Sequence, residues 1–347
     1  MSWEPILHSL AQKEALNPDQ VNWAMNQILS GAADIETIKS FLIALRNKGE
    51  TAEEVISLVE AMYQHAQLIS IPDRCVDVVG TGGDGAQTIN ISTAAAIVTT
   101  AAGARTIKHG NRAATSKSGA ADLLEAFGIN INLNATQVAE CVRRIGIGFA
   151  FAPVFHPAMK NAAQARKELG VPTIFNILGP LANPAKPVAV AIGVARADLF
   201  ELVAQVLARR GCQGFVFRGD DGLDELSIST TSSVYILNKG KYRLERFEPR
   251  ELGIEPAPIE ALKGGTAAEN LDITKRVFAG EKGAYRDAIL LNAAAAIAAF
   301  KGDLDLGIEQ QFANGLVLAK QGIDSGAATQ LVERWADLSN ELAKSSL

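Results

Sequence analysis

Residues 75–85 join a β-favouring run to a glycine-rich loop and read Cys75-Val-Asp-Val-Val-Gly-Thr-Gly-Gly-Asp-Gly85. The first five residues favour a strand, and the glycines that follow end it abruptly. Glycine lets the backbone approach an anion closely, and successive N–H groups or the start of a following helix supply hydrogen-bond donors. This unit predicts an α/β layer with an anion site where the strand ends.

Further β-favouring runs alternate with helical stretches along the rest of the chain. The strand-like runs lie at 106–108, 149–152, 188–194 and 214–217, and the helical stretches include 92–102, 120–127, 198–209 and 284–300. Strands that alternate with helices of about ten residues indicate a largely parallel sheet flanked by helices. Residues 234–237 and 241–244, separated by three turn-forming residues, predict an added hairpin.

The first seventy residues predict a small helical unit. Asn17 begins one helix with a capping box to Gln20, Asp34 caps a second, and Thr51 with Glu54 forms the box of a third. Three short amphipathic helices have a limited core of their own. We therefore expect their apolar faces to pack on the rest of the chain or on another subunit.

Composition and charge exclude several classes of protein. A length of 347 residues (36.7 kDa) indicates two domains. The composition, 48% hydrophobic and 20% charged, indicates a globular chain rather than a disordered one. A net charge of -5 argues against a general nucleic-acid binder. The longest apolar run, 293–300, is too short to cross a bilayer. Residues 1–5 lack the pattern of a signal peptide, so we expect a cytoplasmic protein.

The three cysteines and four histidines suggest no disulfide framework, zinc site or nucleophilic triad. Cys75, Cys141 and Cys212 are far apart, which favours buried, inert thiols. His109 and His156 lie in glycine- or proline-broken segments near the expected pocket, where contact with a ligand and a packing role are both open. Covalent catalysis is not expected.

The glycine loop satisfies the pattern G-x-G-x-x-G, but its surroundings do not fit a dinucleotide site. Such a site needs an acid about twenty residues later. Residues 86–121 contain no acid and four positive charges, and no Gly-Lys-Ser/Thr follows to make a Walker loop. A glycine turn without a ligand remains the alternative to a phosphate site.

Two donor-rich segments follow consecutive strands and predict a polyanion site at the edge of the sheet. The first carries Thr88, Asn90, Ser92 and Thr93 near a helix start, and the second is the run 108–119, Lys-His-Gly-Asn-Arg-Ala-Ala-Thr-Ser-Lys-Ser-Gly. The alternatives are helix capping for the first and a solvated basic loop for the second.

Four carboxylates crowd the six residues Asp220-Asp-Gly-Leu-Asp-Glu225. Their mutual repulsion needs relief from solvent or from a cation. Mg²⁺ binds carboxylate oxygens and bridges to substrate phosphates. Beside a phosphate site the segment therefore predicts a magnesium site, with an exposed acidic turn as the alternative.

Six ordered motifs give the chain a resemblance to the anthranilate phosphoribosyltransferase family over nearly its whole length. They are Gly80-Thr-Gly-Gly-Asp-Gly85, Asn90-Ile-Ser-Thr93, Lys108-His-Gly-Asn-Arg112, Ser116-Lys-Ser-Gly119, Phe175-Asn-Ile-Leu-Gly-Pro-Leu-Ala-Asn-Pro184 and Gly222-Leu-Asp-Glu225. The resemblance implies a helical domain, 1–71 with a contribution from about 165–185. It also implies an α/β domain, 72–164 and 186–347, with a central mixed sheet, and a homodimer formed through the helical domain.

The resemblance also implies an activity, Mg²⁺ as cofactor, and roles for particular residues. Members transfer the phosphoribosyl group of phosphoribosyl pyrophosphate (PRPP) to the amino group of anthranilate. By matching positions, the residues expected to bind PRPP are Gly80, Gly83, Asp84, Thr88, Asn90, Ile91, Ser92, Thr93, Lys108, His109, Gly110, Asn111, Arg112 and Ser116. Those expected at anthranilate are Gly80, His109, Asn111 and Arg166, and those expected at the metal are Ser92, Asp224 and Glu225.

One departure and two rival interpretations accompany this resemblance. Ala120 stands where many members have serine, which removes a hydroxyl near the phosphate. Ser118-Gly119, Asp122 and Leu124-Glu125 also resemble a pattern of pyrimidine nucleoside phosphorylases, which use inorganic phosphate on a nucleoside. The second rival is a noncatalytic paralogue that binds nucleic acid or protein, but the chain lacks the broad basic face that binding nucleic acid requires.

Overall fold

A computed structural model describes residues 1–113 and 116–345. Within these residues one sheet contains seven strands: β1 (Val76–Gly80), β2 (Thr106–Gly110), β3 (Ile147–Phe151), β4 (Ala189–Gly193), β5 (Gln213–Gly219), β6 (Ser232–Asn238) and β7 (Lys241–Phe247). Their order is β3-β2-β1-β4-β5-β6-β7. The first five are parallel, and β6 and β7 add an antiparallel hairpin. The predicted α/β fold with a largely parallel sheet is confirmed.

Fifteen α-helices lie in the described part of the chain. They are α1 (Trp3–Ala11), α2 (Pro18–Leu29), α3 (Ile35–Lys48), α4 (Ala52–Gln64), α5 (Ile91–Ala101), α6 (Ala120–Ala126), α7 (Ala135–Ile145), α8 (Ala152–Phe155), α9 (Ala163–Leu169), α10 (Phe175–Leu181), α11 (Ala197–Arg209), α12 (Ala267–Phe278), α13 (Ala284–Lys301), α14 (Ile308–Asp324) and α15 (Ala327–Lys344). Short 3₁₀ helices span Pro157–Ala162, Pro249–Leu252 and Ile259–Leu262. The three predicted N-terminal helices are present, and α1 is a fourth that the sequence analysis did not place.

The strand order changes direction at β1. The chain passes from β1 to β2 and β3 on one side, whereas β4 pairs with β1 on the other side. At such a point in a parallel sheet, the connections leave a crevice outside the carboxyl ends of the strands, and ligands bind there. The glycine loop follows β1, so the anion site is expected at this change of direction.

The two faces of the sheet pack against different helices. On β4, Ala189 and Ala191 belong to the core that contains α5, α13 and α14, whereas Val190 and Ile192 belong to the core that contains α2 to α4, α10 and α11. This alternation is the period-2 pattern of a strand buried on both sides. The helical N-terminal unit therefore shares a core with one face of the sheet, as its limited size predicted.

The predicted helix caps are present in the N-terminal unit, and one of them extends into a buried ion pair. Thr51 and Glu54 form the reciprocal box of α4. The Glu54 carboxylate also accepts the Leu16 N–H (2.9 Å) and lies 2.7 Å from Lys48 Nζ. The side chains of Lys48 and Glu54 are 3% and 0% exposed, so each charge depends on the other for compensation.

The cysteines are free and buried, as expected. Burial raises the pKa of the Cys75 thiol to about 11 and that of the Cys141 thiol to about 12, which keeps both protonated and unreactive. Across the described residues, we find no helix with the length and apolar character that crossing a membrane requires.

We expect Glu54→Gln to lower the free energy of unfolding by about 3 kcal/mol, because it leaves the Lys48 ammonium buried without a counter-charge. The matched control is Glu53→Gln, since Glu53 pairs with Arg209 at the surface, where the side chains are 62% and 42% exposed. That pair is worth less than about 1 kcal/mol. Urea unfolding measures both variants, and equal losses would contradict the buried pair.

Candidate functional site

The segment that carries Asp224 crosses directly over the ends of β1 and β4. Gly80 and Gly193 are register partners at these ends. A Cβ built on Gly193 would lie 1.6 Å from the Asp224 carbonyl oxygen, and one on Gly80 would lie 2.1 Å from Asp224 Oδ2. Both positions therefore require glycine. Gly193 was not predicted, because the β-favouring run extends to residue 194, whereas β4 ends at Gly193.

The glycine loop after β1 is shaped by residues with positive φ and fixed by Asp224. Gly82, Gly83 and Gly85 have φ of 70°, 83° and 76°, values that favour glycine. The Gly82 N–H donates to Asp224 Oδ2 at 2.6 Å, and Asp84 Oδ1 accepts the Ala86 N–H at 3.1 Å. The loop therefore brings Asp84 towards the acidic segment.

Asp84, Asp224 and Glu225 form a three-carboxylate cluster. One oxygen from each lies within 4.8 Å of the other two. Asp224 and Glu225 are buried, and Glu225 Oε2 has no hydrogen-bond partner among the described residues. Burial, reinforced by Asp84, raises the pKa of Asp224 to about 6. Burial, reinforced by Asp224, raises the pKa of Glu225 well above its usual value. Clustered carboxylates with a free buried oxygen fit a divalent cation such as Mg²⁺.

The other two acids of the segment stabilise its turn instead. Asp221 accepts the Ser227 hydroxyl at 2.6 Å, and Asp220 accepts the Thr231 hydroxyl and pairs with Arg246 at 3.2 Å. The sequence offered four neighbouring carboxylates, and the fold directs only Asp224 and Glu225 towards the glycine loop.

Lys108 supplies a buried positive charge opposite these acids. Its Nζ donates to the Val78 carbonyl at 2.5 Å and to Ser92 Oγ at 3.3 Å. Burial lowers the pKa of Lys108 to about 8, while the charges of Asp77, Glu225 and Asp224 oppose that shift. The ammonium is therefore still mostly protonated at neutral pH. Ser92, expected near the metal, lies against this ammonium.

Asp77 and Asn183, which the sequence analysis left without a role, connect the sheet to the segment after α10. The Asn183 amide donates to Asp77 Oδ2 (2.8 Å) and to the Ile107 carbonyl (2.9 Å). Asp77 also accepts the His109 N–H at 3.3 Å. Burial raises the pKa of Asp77 to about 6. An aspartate inside the apolar run 75–79 was the available signal for this role.

His109 is fixed as a neutral imidazole. Its Nδ1 lies 2.9 Å from the Gly179 carbonyl, an acceptor, so Nδ1 carries the proton and Nε2 can only accept. Nε2 is buried and has no partner among the described residues. Burial lowers the pKa of His109 to about 3. The ring centroid lies 5.2 Å from that of His156, which bonds the Ala182 carbonyl at 2.8 Å.

The end of β2 and the segment after it hold the remaining residues of the run 108–119 that were predicted to bind PRPP. A Cβ on Gly110 would lie 2.9 Å from a Phe149 ring atom, and Asn111 Oδ1 accepts the Arg112 N–H at 2.7 Å. The Arg112 guanidinium is paired with Asp122 (2.8 Å) and Glu125 (2.5 Å), so these acids already balance its charge. The Ser116 hydroxyl donates to a neighbouring carbonyl within the same segment. Ala114 and Thr115 lie outside the described residues.

The two donor-rich segments meet through Asn90, which confirms that they converge. Asn90 precedes α5, but its side chain does not cap the helix. Its Nδ2 donates to the Ser118 carbonyl (3.0 Å), and its Oδ1 accepts the Ser118 hydroxyl (3.2 Å). Thr88 forms an isolated bridge with Lys263, and Ile91 and Thr93 are buried in the first turn of α5.

Arg166 lies on α9, close to the start of α10. Its guanidinium carbon is 5.6 Å from the centre of the Phe175 ring, and partial burial lowers its pKa. In the parts of the chain that the structure describes, no residue forms a hydrogen bond or an ion pair with this guanidinium. Its planar donors are therefore available to a carboxylate.

Two family models together match most of the chain. Residues 4–66 match the helical bundle domain of a glycosyl transferase family, and residues 72–329 match the a/b domain of that family. An anthranilate phosphoribosyltransferase of Rhodococcus jostii is 51% identical over 344 residues, which cover 99% of this chain and 95% of the relative.

Solved structures agree with the family models. The anthranilate phosphoribosyltransferase of Thermus thermophilus superimposes with a TM-score of 0.89 at 37% identity, covering 96% of this chain and 99% of the other. The enzyme of Saccharomyces cerevisiae in complex with PRPP and Mg superimposes with a TM-score of 0.86 at 30% identity, covering 97% and 99%.

The raised pKa values predict that binding of a divalent cation depends on pH. Asp224 carries a proton below about pH 6, and that proton competes with the cation. We expect Mn²⁺, followed by electron paramagnetic resonance, to bind about 10-fold more weakly at about pH 5.5 than at about pH 7.5. The double variant Asp224→Asn, Glu225→Gln should lose the pH-dependent binding. Equal affinity at the two pH values would contradict a site at these acids.

Proposed function

Because the chain belongs to the anthranilate phosphoribosyltransferases of this glycosyl transferase family, we propose that it transfers the phosphoribosyl group of PRPP to the amino group of anthranilate and releases pyrophosphate. The observation that carries this proposal is the cluster of Asp84, Asp224 and Glu225. It lies beside a glycine loop and interacts with the charge of the buried Lys108, and within the described residues it leaves one carboxylate oxygen without a partner. A magnesium complex of a sugar diphosphate needs this combination of groups.

We propose that the donor-rich segments hold the anionic substrate. The glycine loop and the start of α5 offer backbone N–H groups, and Lys108 offers a fixed positive charge. The proposed PRPP-binding residues are Gly80, Gly83, Asp84, Thr88, Asn90, Ile91, Ser92, Thr93, Lys108, His109, Gly110, Asn111, Arg112 and Ser116. Because Arg112 is paired with Asp122 and Glu125, it has to exchange a partner before it contacts a phosphate.

We propose Ser92, Asp224 and Glu225 as the residues that serve Mg²⁺. The buried, unpartnered oxygen of Glu225 is the atom that fits a cation most directly. When bound, Mg²⁺ would offset the negative charge that develops on the pyrophosphate. Asp224 also orients the glycine loop through the Gly82 N–H, so the residues that hold the metal and those that hold the substrate are coupled.

The reaction requires positioning and charge stabilisation rather than a strong base. The bond between ribose C1 and the pyrophosphate oxygen breaks, its electrons leave with the pyrophosphate, and the ribose becomes cationic before nitrogen bonds to C1. An aromatic amine is neutral at pH 7 and already nucleophilic, so one N–H proton leaves to solvent after nitrogen has bonded to C1. The neutral His109 offers a hydrogen-bond acceptor to the amine, and the charged Lys108 offers a positive charge to the leaving pyrophosphate.

We propose that anthranilate is bound by Gly80, His109, Asn111 and Arg166. The guanidinium of Arg166, which has no hydrogen-bond or ion-pair partner among the described residues, supports a contact with the anthranilate carboxylate. His109 bonds Gly179 of α10, and Arg166 contacts Phe175 at the start of the same helix. Both residues therefore contact α10.

Domain division, assembly and location complete the proposal. We propose a helical domain of residues 1–71 with about 165–185, and an α/β domain of residues 72–164 and 186–347. The half-buried Trp3 and Trp23 of the helical region support dimer formation there, because aromatic side chains are enriched at interfaces. Sedimentation of the purified chain tests the dimer. Limited proteolysis tests the domain division, and cell fractionation tests the proposed cytoplasmic location.

Loss of anthranilate fluorescence tests the function. We expect loss only when PRPP and Mg²⁺ are both present, and we expect Asp224→Asn with Glu225→Gln to reduce the rate by about 100-fold or more, the size of a lost charge-stabilising group. Asp220→Asn is the control, because Asp220 serves the neighbouring turn. No loss of fluorescence with wild-type chain would refute the function, and a wild-type rate in the double variant would remove the acids from it.

We expect Arg166→Ala to raise the anthranilate KM by about 10-fold or more, the effect of one lost charge-assisted hydrogen bond. The KM for PRPP should change little. Lys167→Ala is the matched control, since Lys167 is an exposed cation on the same helix. Steady-state kinetics measures both constants, and an unchanged anthranilate KM in Arg166→Ala would refute the contact.

A further inference from the structure

Asn270, near the start of α12, uses both ends of its side chain to connect elements of the site. It is 1% exposed. Its Nδ2 donates to Asn90 Oδ1 at 2.9 Å, and its Oδ1 accepts the Gly265 N–H at 2.8 Å. A buried amide whose NH₂ group and oxygen both form hydrogen bonds holds its partners in fixed positions. Asn270 therefore joins residues that precede two different helices, α5 and α12.

The turn at 262–265 lies against the segment that leads into α5. The Ile89 N–H donates to the Leu262 carbonyl, and the Gly264 N–H donates to the Gln87 carbonyl, both at 2.9 Å. A Cβ on Gly264 would lie 2.7 Å from Asn270 Oδ1 and 2.9 Å from the Ile89 backbone. Backbone bonds and a close approach thus connect this turn to the proposed PRPP-binding segment. Asn270 fixes the turn from its other side.

The bonds around Asn90 determine which way its amide faces. Asn90 Oδ1 accepts two hydrogen bonds, from Asn270 Nδ2 and from the Ser118 hydroxyl, so both of its lone pairs are used. Asn90 Nδ2 gives one hydrogen to the Ser118 carbonyl, and no described residue accepts the other. In this orientation Asn90 offers a ligand a donor and no acceptor. Rotation of the amide by 180° would present an oxygen, which repels an anion.

We propose that Asn270 is a positioning residue for phosphoribosyl transfer. It holds the Asn90 amide with its free N–H available to PRPP, and it fixes the turn 262–265 against the PRPP-binding segment. The inference rests on the proposed function. Asn270 contacts Asn90 and Gly265 and acts on the substrate through them.

Asn270→Asp tests the proposal, because it keeps the acceptor for the Gly265 N–H and replaces the donor to Asn90 by an oxygen. We expect the KM for PRPP to rise about 10-fold, with kcat and the anthranilate KM within about 2-fold of wild type. A protonated carboxyl would donate again. The ratio of the variant's PRPP KM to that of wild type should therefore be smaller at about pH 6 than at about pH 8.5.

Gln137→Glu is the matched control. Gln137 is a buried amide on α7 whose Nε2 donates to the Leu342 carbonyl at 2.8 Å, on an element that contributes no proposed site residue. We expect this variant to lose stability and to keep the wild-type KM for PRPP. An equal rise in the PRPP KM of both variants would show a general structural effect and overturn the proposal.

The remaining outcomes are distinct. An unchanged PRPP KM in Asn270→Asp, or a loss confined to kcat, overturns the positioning role while the activity stands. Absence of turnover in the wild-type chain refutes the proposed function instead. If Asn270→Asp does not fold, Asn270→Ala removes both bonds without adding charge. It is then measured in the same assay against the same criteria, apart from the pH comparison.

Discussion

The close approach of Asp224 to two glycines is the contact on which the rest of the site depends. Because Gly80 and Gly193 lack a Cβ, the Asp224 segment can lie directly on the ends of β1 and β4. From there Asp224 bonds the Gly82 N–H and approaches Asp84 and Glu225. A side chain at either glycine would lift the segment, separate the three acids and release the loop together.

Burial gives the cleft its electrostatic character. Asp224 and Glu225 are withdrawn from water, and this withdrawal together with mutual repulsion raises their pKa values. Burial also lowers the pKa of Lys108 on the opposite wall. Neither wall is balanced by a close ion pair within the described residues. In the proposed function, a cation and a polyanion that enter together would each compensate one wall.

Much of the fold could be predicted from short sequence patterns, whereas contacts between residues distant in the sequence could not. The cap of α4 and the strand that ends at Gly80 follow from patterns of a few residues. The boxes Asn134–Gln137 and Thr266–Glu269 at α7 and α12 carry the same signal and were overlooked. The glycine loop, the donor-rich segments and the acidic run were predicted from their residues, and the roles of individual residues came from the resemblance. Asn183 and Asn270 each donate to a residue more than 75 positions away, and these contacts required the three-dimensional structure.

The single free nitrogen of His109 has a consequence for which end of an aminobenzoate can face it. Gly179 takes the only ring proton, so a ligand group that meets Nε2 has to bring its own hydrogen. At neutral pH the amine of anthranilate has one and the ionised carboxylate has none. Arg166 is the proposed partner of the carboxylate, and its guanidinium has only hydrogen-bond donors. The proposed anthranilate site would thereby distinguish the two substituents of the ring by hydrogen-bond polarity, without relying on their size.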